Sequence, residues 1–157
     1  MQQFPAQNQS DVKASAPTQI RSRIMRAVKR RDTTPEMAVR RFLHSRGFRF
    51  RVDDRRLPGS PDVVLKKFGT VVFVHGCFWH RHLDCRKAST PKSRAEFWTE
   101  KFVRNVARDA ANERRLKEAG WEVIVVWECE TKTDEAMEGA LRRLIEKKYV
   151  SKEQEDE

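Results

Sequence analysis

The sequence lacks the features that mark membrane-spanning and secreted proteins. Its longest uncharged stretch, Phe68 to His80, is shorter than the roughly 18 apolar residues of a membrane span and is interrupted by Gly and His. The N-terminus has no basic segment followed by an apolar one, so no secretory signal is predicted. Three cysteines are too few, and odd in number, for a disulfide scaffold. We therefore expect a cytoplasmic protein with reduced thiols.

Positive charge dominates what is present. The 157-residue chain fits one domain and carries 33 Lys and Arg against 23 Asp and Glu, a formal net charge of +10. Residues 21–56 alone hold 13 basic and 4 acidic residues. A run of charge is usually a solvated face, but an excess this dense favours a surface that binds phosphates. We therefore expect a polyanionic partner.

Composition divides the chain into three parts. Residues 1–19 are rich in Gln, Ala, Ser and Pro and are predicted to form a flexible arm. Residues 20–149 carry the periodic apolar patterns and are predicted to form the folded domain. Residues 150–157 are predicted to form an acidic, disordered tail.

Hydrophobic periodicity within 20–149 predicts a mixed α/β domain in the order helix, helix, three strands, helix, strand, helix. A first helix is expected over 20–28, and Thr34 with Pro35 predicts the start of a second that ends at Gly47. Ser93 and Glu96 fit a capping box for a long helix, and Thr133 caps the last one. The strands are expected at 48–52, Val63–Leu65, Val71–His75 and Trp121–Trp127.

Two carboxylates and two histidines form a candidate catalytic group. A hairpin that turns at Phe68 and Gly69 would place Asp62 directly opposite His75 and on the same face. His80 follows five residues later, and Glu36 begins the second helix. Such a set can bind Mg²⁺ and activate water. Each residue also has a structural explanation. Asp62 fits a turn, Glu36 is a favourable charge in the first turn of a helix, and the two histidines could be surface or supporting residues.

The three cysteines and one histidine form a candidate metal group. Cys77, His82 and Cys85 have the spacing C-x4-H-x2-C, and Cys129 follows the last strand. Three thiolates and an imidazole are the ligands of a closed structural zinc site, which would hold this irregular segment in place. The alternative is three buried free thiols and a surface histidine.

Aromatic residues lie within the same segment. Phe78 and Trp79 separate His75 from His80, and Arg and Lys flank the segment. Aromatic side chains on a basic loop can stack on bases or enter between them. The alternative is a small core beneath the loop, and for Trp98 that alternative is the better default.

The motifs together are highly specific. HGCFWHRHLDC (75–85) with Pro61-Asp62, FWTEKFVRN (97–105) and GWEVIVVWECE (120–130) resemble the very short patch repair (Vsr) DNA mismatch endonucleases, as does RSRIMRAVKRRDTTPE (21–36). The resemblance covers residues 20–130. It implies a restriction-endonuclease-like fold, related to the PD-(D/E)xK nucleases. It also implies a Mg²⁺-dependent enzyme that nicks one DNA strand 5′ to the T of a T·G mismatch left by 5-methylcytosine deamination.

The resemblance also assigns residues. Asp62 and the backbone carbonyl of Val74 match the Mg²⁺ ligands, His75 and His80 the catalytic histidines, and Glu36 the acid that assists a histidine. The structural zinc ligands are matched by Cys77, His82, Cys85 and Cys129. The residues matched to DNA contacts are Met25, Phe78, Trp79, Trp98, Lys101 and Asn105.

Partners follow from the same resemblance. A monomer acting on mismatched double-stranded DNA near the bacterial nucleoid is implied, with mismatch-repair proteins and a cytosine-5 methyltransferase as associated systems. The second strand lacks the Glu-x-Lys of ordinary nucleases, which is the family's own variant, and Val74 stands where Thr is expected. Two alternatives remain: a non-catalytic zinc-stapled DNA-binding module, and a related nuclease that cuts paired or modified DNA.

Overall fold

The computed structural model describes residues 31–153, and side chains up to Ser151. The arm at 1–19, the helix expected at 20–28 and Met25 lie outside this range. The helices and strands are α1 (Thr34–Ser45), β1 (Val63–Leu65), β2 (Thr70–His75), α2 (Ala95–Glu118), β3 (Glu122–Trp127), α3 (Asp134–Ala140) and α4 (Arg142–Glu153). None of these helices is long and apolar enough to cross a membrane.

The three strands form one mixed sheet in the order β1-β2-β3. β1 pairs antiparallel with β2, and β2 pairs parallel with β3. A parallel pair needs a long crossover, and the 24-residue α2 provides it. The prediction of a small α/β domain with a mixed sheet is confirmed.

The sheet lies between two layers of helix. One face of β2, carrying Val72 and Val74, packs against α1, α3 and α4 through Phe42, Leu43 and Leu144 among others. The other face carries Val71 and Phe73 and packs against Leu116 of α2. Since strand residues alternate between faces, His75 lies on the α2 side.

The register of the hairpin differs from the prediction. Val63 pairs with Val72 and Leu65 with Thr70, so Asp62 is not opposite His75, and that prediction is wrong by two residues. The connection is longer than expected because residues 66–68 form a short 3₁₀ turn, which Gly69 closes at φ 57°. Gly tolerates this left-handed conformation without steric cost.

Two other local predictions are wrong. Residues 48–52 form no strand; Arg51 alone makes a β-bridge, exchanging backbone hydrogen bonds of 3.0 and 2.8 Å with Val64. The long helix begins at Ala95 with Arg94 as its N-cap at φ 55°, and no side chain caps it, so the Ser93 capping box is absent.

The remaining helix ends are close to expectation. Thr33, one residue earlier than expected, caps α1 by accepting a hydrogen bond from the Glu36 N–H. Thr133 caps α3 as predicted, but the last helix is broken at Leu141. Since α4 continues to Glu153, the first four residues of the expected acidic tail are helical.

Candidate active site

Two histidine rings are stacked at the carboxyl end of β2. His75, the last residue of the strand, is only 7% exposed. The chain then turns back, with the His80 N–H donating to the Gly76 carbonyl at 3.1 Å. This turn lays the His80 ring on the His75 ring, with centroids 3.9 Å apart and planes 9° apart.

Asp109 of α2 completes this group. Its Oδ2 lies 2.5 Å from Nδ1 of His80. No sequence motif pointed to Asp109, but helical spacing could have, because positions 102, 109 and 116 share a face and Phe102 and Leu116 are buried. An Asp on the buried face of a helix needs partners, and here they are His80 at Oδ2 and Arg108, which donates to Oδ1 at 3.0 Å.

His75 and Asp109 differ in their charge states near pH 7. Burial, reinforced by the charge of His80, lowers the pKa of His75 to about 4, so this ring is neutral near pH 7. Burial alone would raise the pKa of Asp109, but the hydrogen bond and charge of His80 outweigh it and hold that pKa below its usual value. An ionised Asp109 therefore orients His80 and fixes which ring nitrogen faces away from it.

The three residues are better suited to proton transfer than to chelation. Their ligand atoms lie within 4.8 Å of one another. An imidazole lone pair, however, lies in the plane of its ring, and the rings of His75 and His80 are nearly parallel. A shared cation would lie outside at least one ring plane. The stacked arrangement thus favours acid–base chemistry.

Asp62 contacts the backbone of β2 at Val74, the residue before His75. β1 ends its pairing at Val63 opposite Val72, and the next N–H on that edge of β2, from Val74, donates to Asp62 Oδ2 at 2.7 Å. The other oxygen, Oδ1, has no hydrogen-bond donor among the described residues. Burial, with the charge of Glu36, raises the pKa of Asp62 to about 6 despite the Val74 bond. A carboxylate so poorly compensated suits a cation ligand.

Glu36 lies in the first turn of α1, 6% exposed. Its carboxylate accepts hydrogen bonds from the Asp32 N–H at 2.8 Å, from Thr33 Oγ1 at 2.9 Å and from Arg40 at 3.2 Å. Among the described residues none of its hydrogen bonds reaches a histidine. Its charge acts on Asp62, and its expected assistance to a histidine stays a prediction.

The Cys and His residues of the candidate metal group do come together. The ligand atoms of Cys77, His82, Cys85 and Cys129 lie within 4.8 Å of one another. His82 Nδ1 is 3.6 Å from the Cys77 sulfur and 3.3 Å from that of Cys129, which lies two residues after the end of β3. We call these four residues the Cys/His cluster. Cys85 and Cys129 are only partly buried, which disfavours the alternative of three buried thiols.

The aromatic residues gather on the α2 side of the loop. Phe78 contacts Trp98 and Phe102 edge to face, with centroids 5.6 and 5.1 Å apart, and Trp79 lies 6.0 Å from Trp98. Phe78, Trp79 and Trp98 are partly exposed. Lys101 Nζ lies 4.9 Å from the Trp79 ring centroid, and the Asn105 amide donates to the Trp79 carbonyl at 3.2 Å. These aromatic residues are therefore packed on one side and accessible to solvent on the other.

Comparison with known proteins gives a consistent result. Residues 13–87 match the family model described as DNA mismatch endonuclease Vsr. The type II nicking enzyme V.NmeAIP of Neisseria meningitidis is 48% identical over 128 residues, covering 82% of this chain and 91% of that protein. The DNA mismatch endonuclease Vsr of Escherichia coli is 45% identical over 130 residues, covering 80% and 83%. The type II nicking enzyme V.XorIIP of Xanthomonas oryzae is 46% identical over 123 residues, covering 78% and 90%.

The raised pKa of Asp62 leads to a stability prediction. The protonated carboxyl is favoured in the folded state. Its contribution to the free energy of unfolding is therefore complete below the ordinary Asp pKa of 3.8 and is lost as the pH rises through about 6. Asp62→Asn keeps an acceptor for the Val74 N–H and removes the charge. We expect it to increase the free energy of unfolding near pH 7 by about 1–2 kcal/mol, and by nothing near pH 4.

Urea unfolding across this pH range, without added divalent cation, measures the difference. Asp54→Asn is the control, because the hydrogen bonds from Arg56 lower the pKa of Asp54 to about 2, so that removing this charge is expected to decrease the free energy of unfolding near pH 7. The raised pKa of Asp62 would be contradicted if Asp62→Asn gave no increase in the free energy of unfolding near pH 7. It would also be contradicted if Asp54→Asn gave such an increase.

Proposed function

The chain belongs to the Vsr family of DNA mismatch endonucleases, and from this premise we propose that it nicks one strand of duplex DNA 5′ to the T of a T·G mismatch. In this proposal the enzyme is a Mg²⁺-dependent hydrolase that acts in very short patch repair after 5-methylcytosine deamination. The observation that carries it is the group formed by His75, His80 and Asp109 beside Asp62, because a DNA-binding module has no use for a desolvated carboxylate next to paired imidazoles.

The residues that would hold Mg²⁺ are Asp62 and the backbone carbonyl of Val74. Oδ1 of Asp62 lacks a donor among the described residues, and oxygen ligands are those that Mg²⁺ prefers. A backbone ligand needs no particular side chain, which agrees with Val at position 74. Bound there, the ion would stabilise the charge that develops on the phosphate during hydrolysis.

His80 is the proposed general base. Asp109 holds Nδ1 at 2.5 Å, which leaves Nε2 to take a proton from the attacking water. The neutral His75 ring beneath it can hydrogen-bond to the substrate without adding positive charge. Glu36 would influence the site indirectly, because its charge adds to the effect of burial, which raises the pKa of Asp62.

The loop that carries His80 is also the proposed mismatch-recognition element. Phe78, Trp79 and Trp98 would enter the base stack from one groove, and Met25, outside the described residues, from the other. Lys101 and Asn105, both in contact with Trp79, would lie near the mismatched bases. Wedges of this kind require a loop that holds its shape, and zinc in the Cys/His cluster would provide it.

The biological setting is part of the same proposal. A monomer acting on chromosomal DNA in the cytoplasm, alongside a cytosine-5 methyltransferase and mismatch-repair proteins, fits this activity. The names of two relatives, which call them type II nicking enzymes, favour one second candidate, a nickase with another DNA target. Duplexes with T·G, with other mismatches and with full pairing distinguish the two.

Asp62→Asn is expected to abolish nicking of the T·G duplex in Mg²⁺ while binding of that duplex survives. Removing a metal ligand should lower the single-turnover rate about 100-fold or more, because it removes stabilisation that exists only in the transition state. Gel assays of nicking and of binding measure the two effects. Parental nicking by the variant would refute Asp62 as the ligand, and equal cutting of paired DNA would favour the second candidate.

Truncation of the aromatic wedge should reduce discrimination. Phe78→Ala with Trp79→Ala is expected to weaken mismatch binding by about 5- to 150-fold per residue, since base stacking is worth roughly 1–3 kcal/mol. Binding to paired DNA should change less because phosphate contacts dominate it. The two affinities and the melting temperature are measured together. A lower melting temperature with an unchanged mismatch-to-paired ratio would make both rings core residues.

One zinc ion per chain is expected in protein purified without chelator. Four ligands close a tetrahedral site and leave no position for water, so the ion would stabilise the fold and take no part in hydrolysis. A chelator should therefore lower the melting temperature, and Mg²⁺ should not restore it. Elemental analysis and thermal unfolding measure this. A fully folded protein without zinc would favour free thiols.

A further inference from the structure

Trp127 lies between the Cys/His cluster and the catalytic histidines. Its indole stacks on the His82 ring, with centroids 4.3 Å apart and planes 6° apart. It also meets His75 edge to face at 5.4 Å and 72°. Because His75 stacks on His80, an uninterrupted series of ring contacts connects the cysteine ligands to the proposed base.

The backbone fixes Trp127 at this position. It is the last residue of β3 and pairs with His75, the last residue of β2. Its N–H donates to Glu130 Oε2 at 2.8 Å, and Cys129 follows two residues later. The residues of β3 with the same parity, Val123 and Val125, lie on the α2 side of the sheet with Phe73. One side chain is therefore held against both groups at once.

The shape of the contact matters more than its hydrophobicity. A flat ring in parallel contact with His82 and in edge contact with His75 fixes the tilt of both imidazoles, and aromatic pairs of this kind have preferred geometries. An aliphatic side chain such as Leu could fill part of the space but could not fix a ring plane. Trp127 is only partly buried, which argues against core filling as its main purpose.

We propose that Trp127 is a positioning residue that couples the geometry of the Cys/His cluster to the His75–His80 pair. The activity part of this inference rests on the proposed function; the coupling does not. In this arrangement the ion site does more than hold the loop, since a change in the orientation of His82 is transmitted through the indole to the ring on which His80 stacks.

Substitutions at Trp127 test the inference against a matched tryptophan. Trp127→Phe keeps a ring face and Trp127→Leu does not; Trp121→Leu removes the tryptophan that precedes β3 and packs with Val64, Val71 and Phe73. The measured quantities are the single-turnover nicking rate as a function of pH, the affinity for T·G duplex, the ion content and the melting temperature.

We expect Trp127→Leu to retain its ion and its DNA affinity and to nick about 10- to 100-fold more slowly, with an altered pH profile. Trp127→Phe should recover most of the rate. Trp121→Leu should lower the melting temperature and leave the rate and its pH profile unchanged. A parental rate in folded Trp127→Leu, or an equal loss of rate in Trp121→Leu, would overturn the proposal.

A second measurement is independent of nicking and of variant stability. Protein loaded with Cd²⁺ is compared with protein loaded with Zn²⁺, because a larger ion held by the Cys/His cluster would change the dimensions of the site. The imidazole ¹⁵N signals of His75 and His80 should shift in the parent protein and in Trp121→Leu, and shift less in Trp127→Phe and Trp127→Leu. Unmoved histidine signals in the parent would overturn the coupling. Shifted signals in a parent that does not nick T·G duplex would retain the coupling and reject the proposed function.

Discussion

Parallel pairing of β2 with β3 is the constraint on which the rest of the site depends. Both strands end at the same edge of the sheet, so His75 and Trp127 are neighbours and the chain segments that follow them begin side by side. The segment after β2 supplies His80, His82, Phe78 and Trp79, and the segment after β3 supplies Cys129. The α2 crossover that makes parallel pairing possible then returns over the same face and contributes Asp109. A single topological feature thus gathers side chains from three parts of the chain.

Local chemistry was predictable from the sequence, and long-range geometry was less so. The residues of the Cys/His cluster could be found because thiols and imidazoles at short spacing are rare and their ligand chemistry is specific. The hairpin register was not predictable, because a 3₁₀ turn at 66–68 replaced a tight turn and moved Asp62 by two positions. Asp109 was missed because an isolated Asp in a charged helix has no local motif. Only the fold shows that its partner is His80.

The environment of Asp62 lowers the stability of the folded protein near neutral pH and makes the carboxylate suitable as a cation ligand. A carboxylate with a pKa raised to about 6 by burial opposes folding near neutral pH, and Glu36 nearby increases the effect. Arg40, ion-paired with Glu36 at 3.2 Å, offsets part of this effect, although its buried Nε has no hydrogen-bond partner among the described residues. A site optimised for stability would place an uncharged residue at position 62. Retaining the acid agrees with the proposed Mg²⁺, which would compensate its charge.

In the proposed function the ten residues from Gly76 to Cys85 include the general base, two wedge residues and three ion ligands. An apolar core beneath the segment would be insufficient to hold all of these side chains in position. The segment has no long helix or strand, it exposes Leu83 at 82%, and Arg81 and Asp84 adopt positive φ of 58° and 55°. Hydrophobic burial is non-directional and would not fix the plane of an imidazole. The His80–Asp109 hydrogen bond and the stacked rings are directional, as bonds from the thiolates to the proposed zinc ion would be. If this loop presents both a wedge and a general base, as we propose, their orientations depend on these directional contacts.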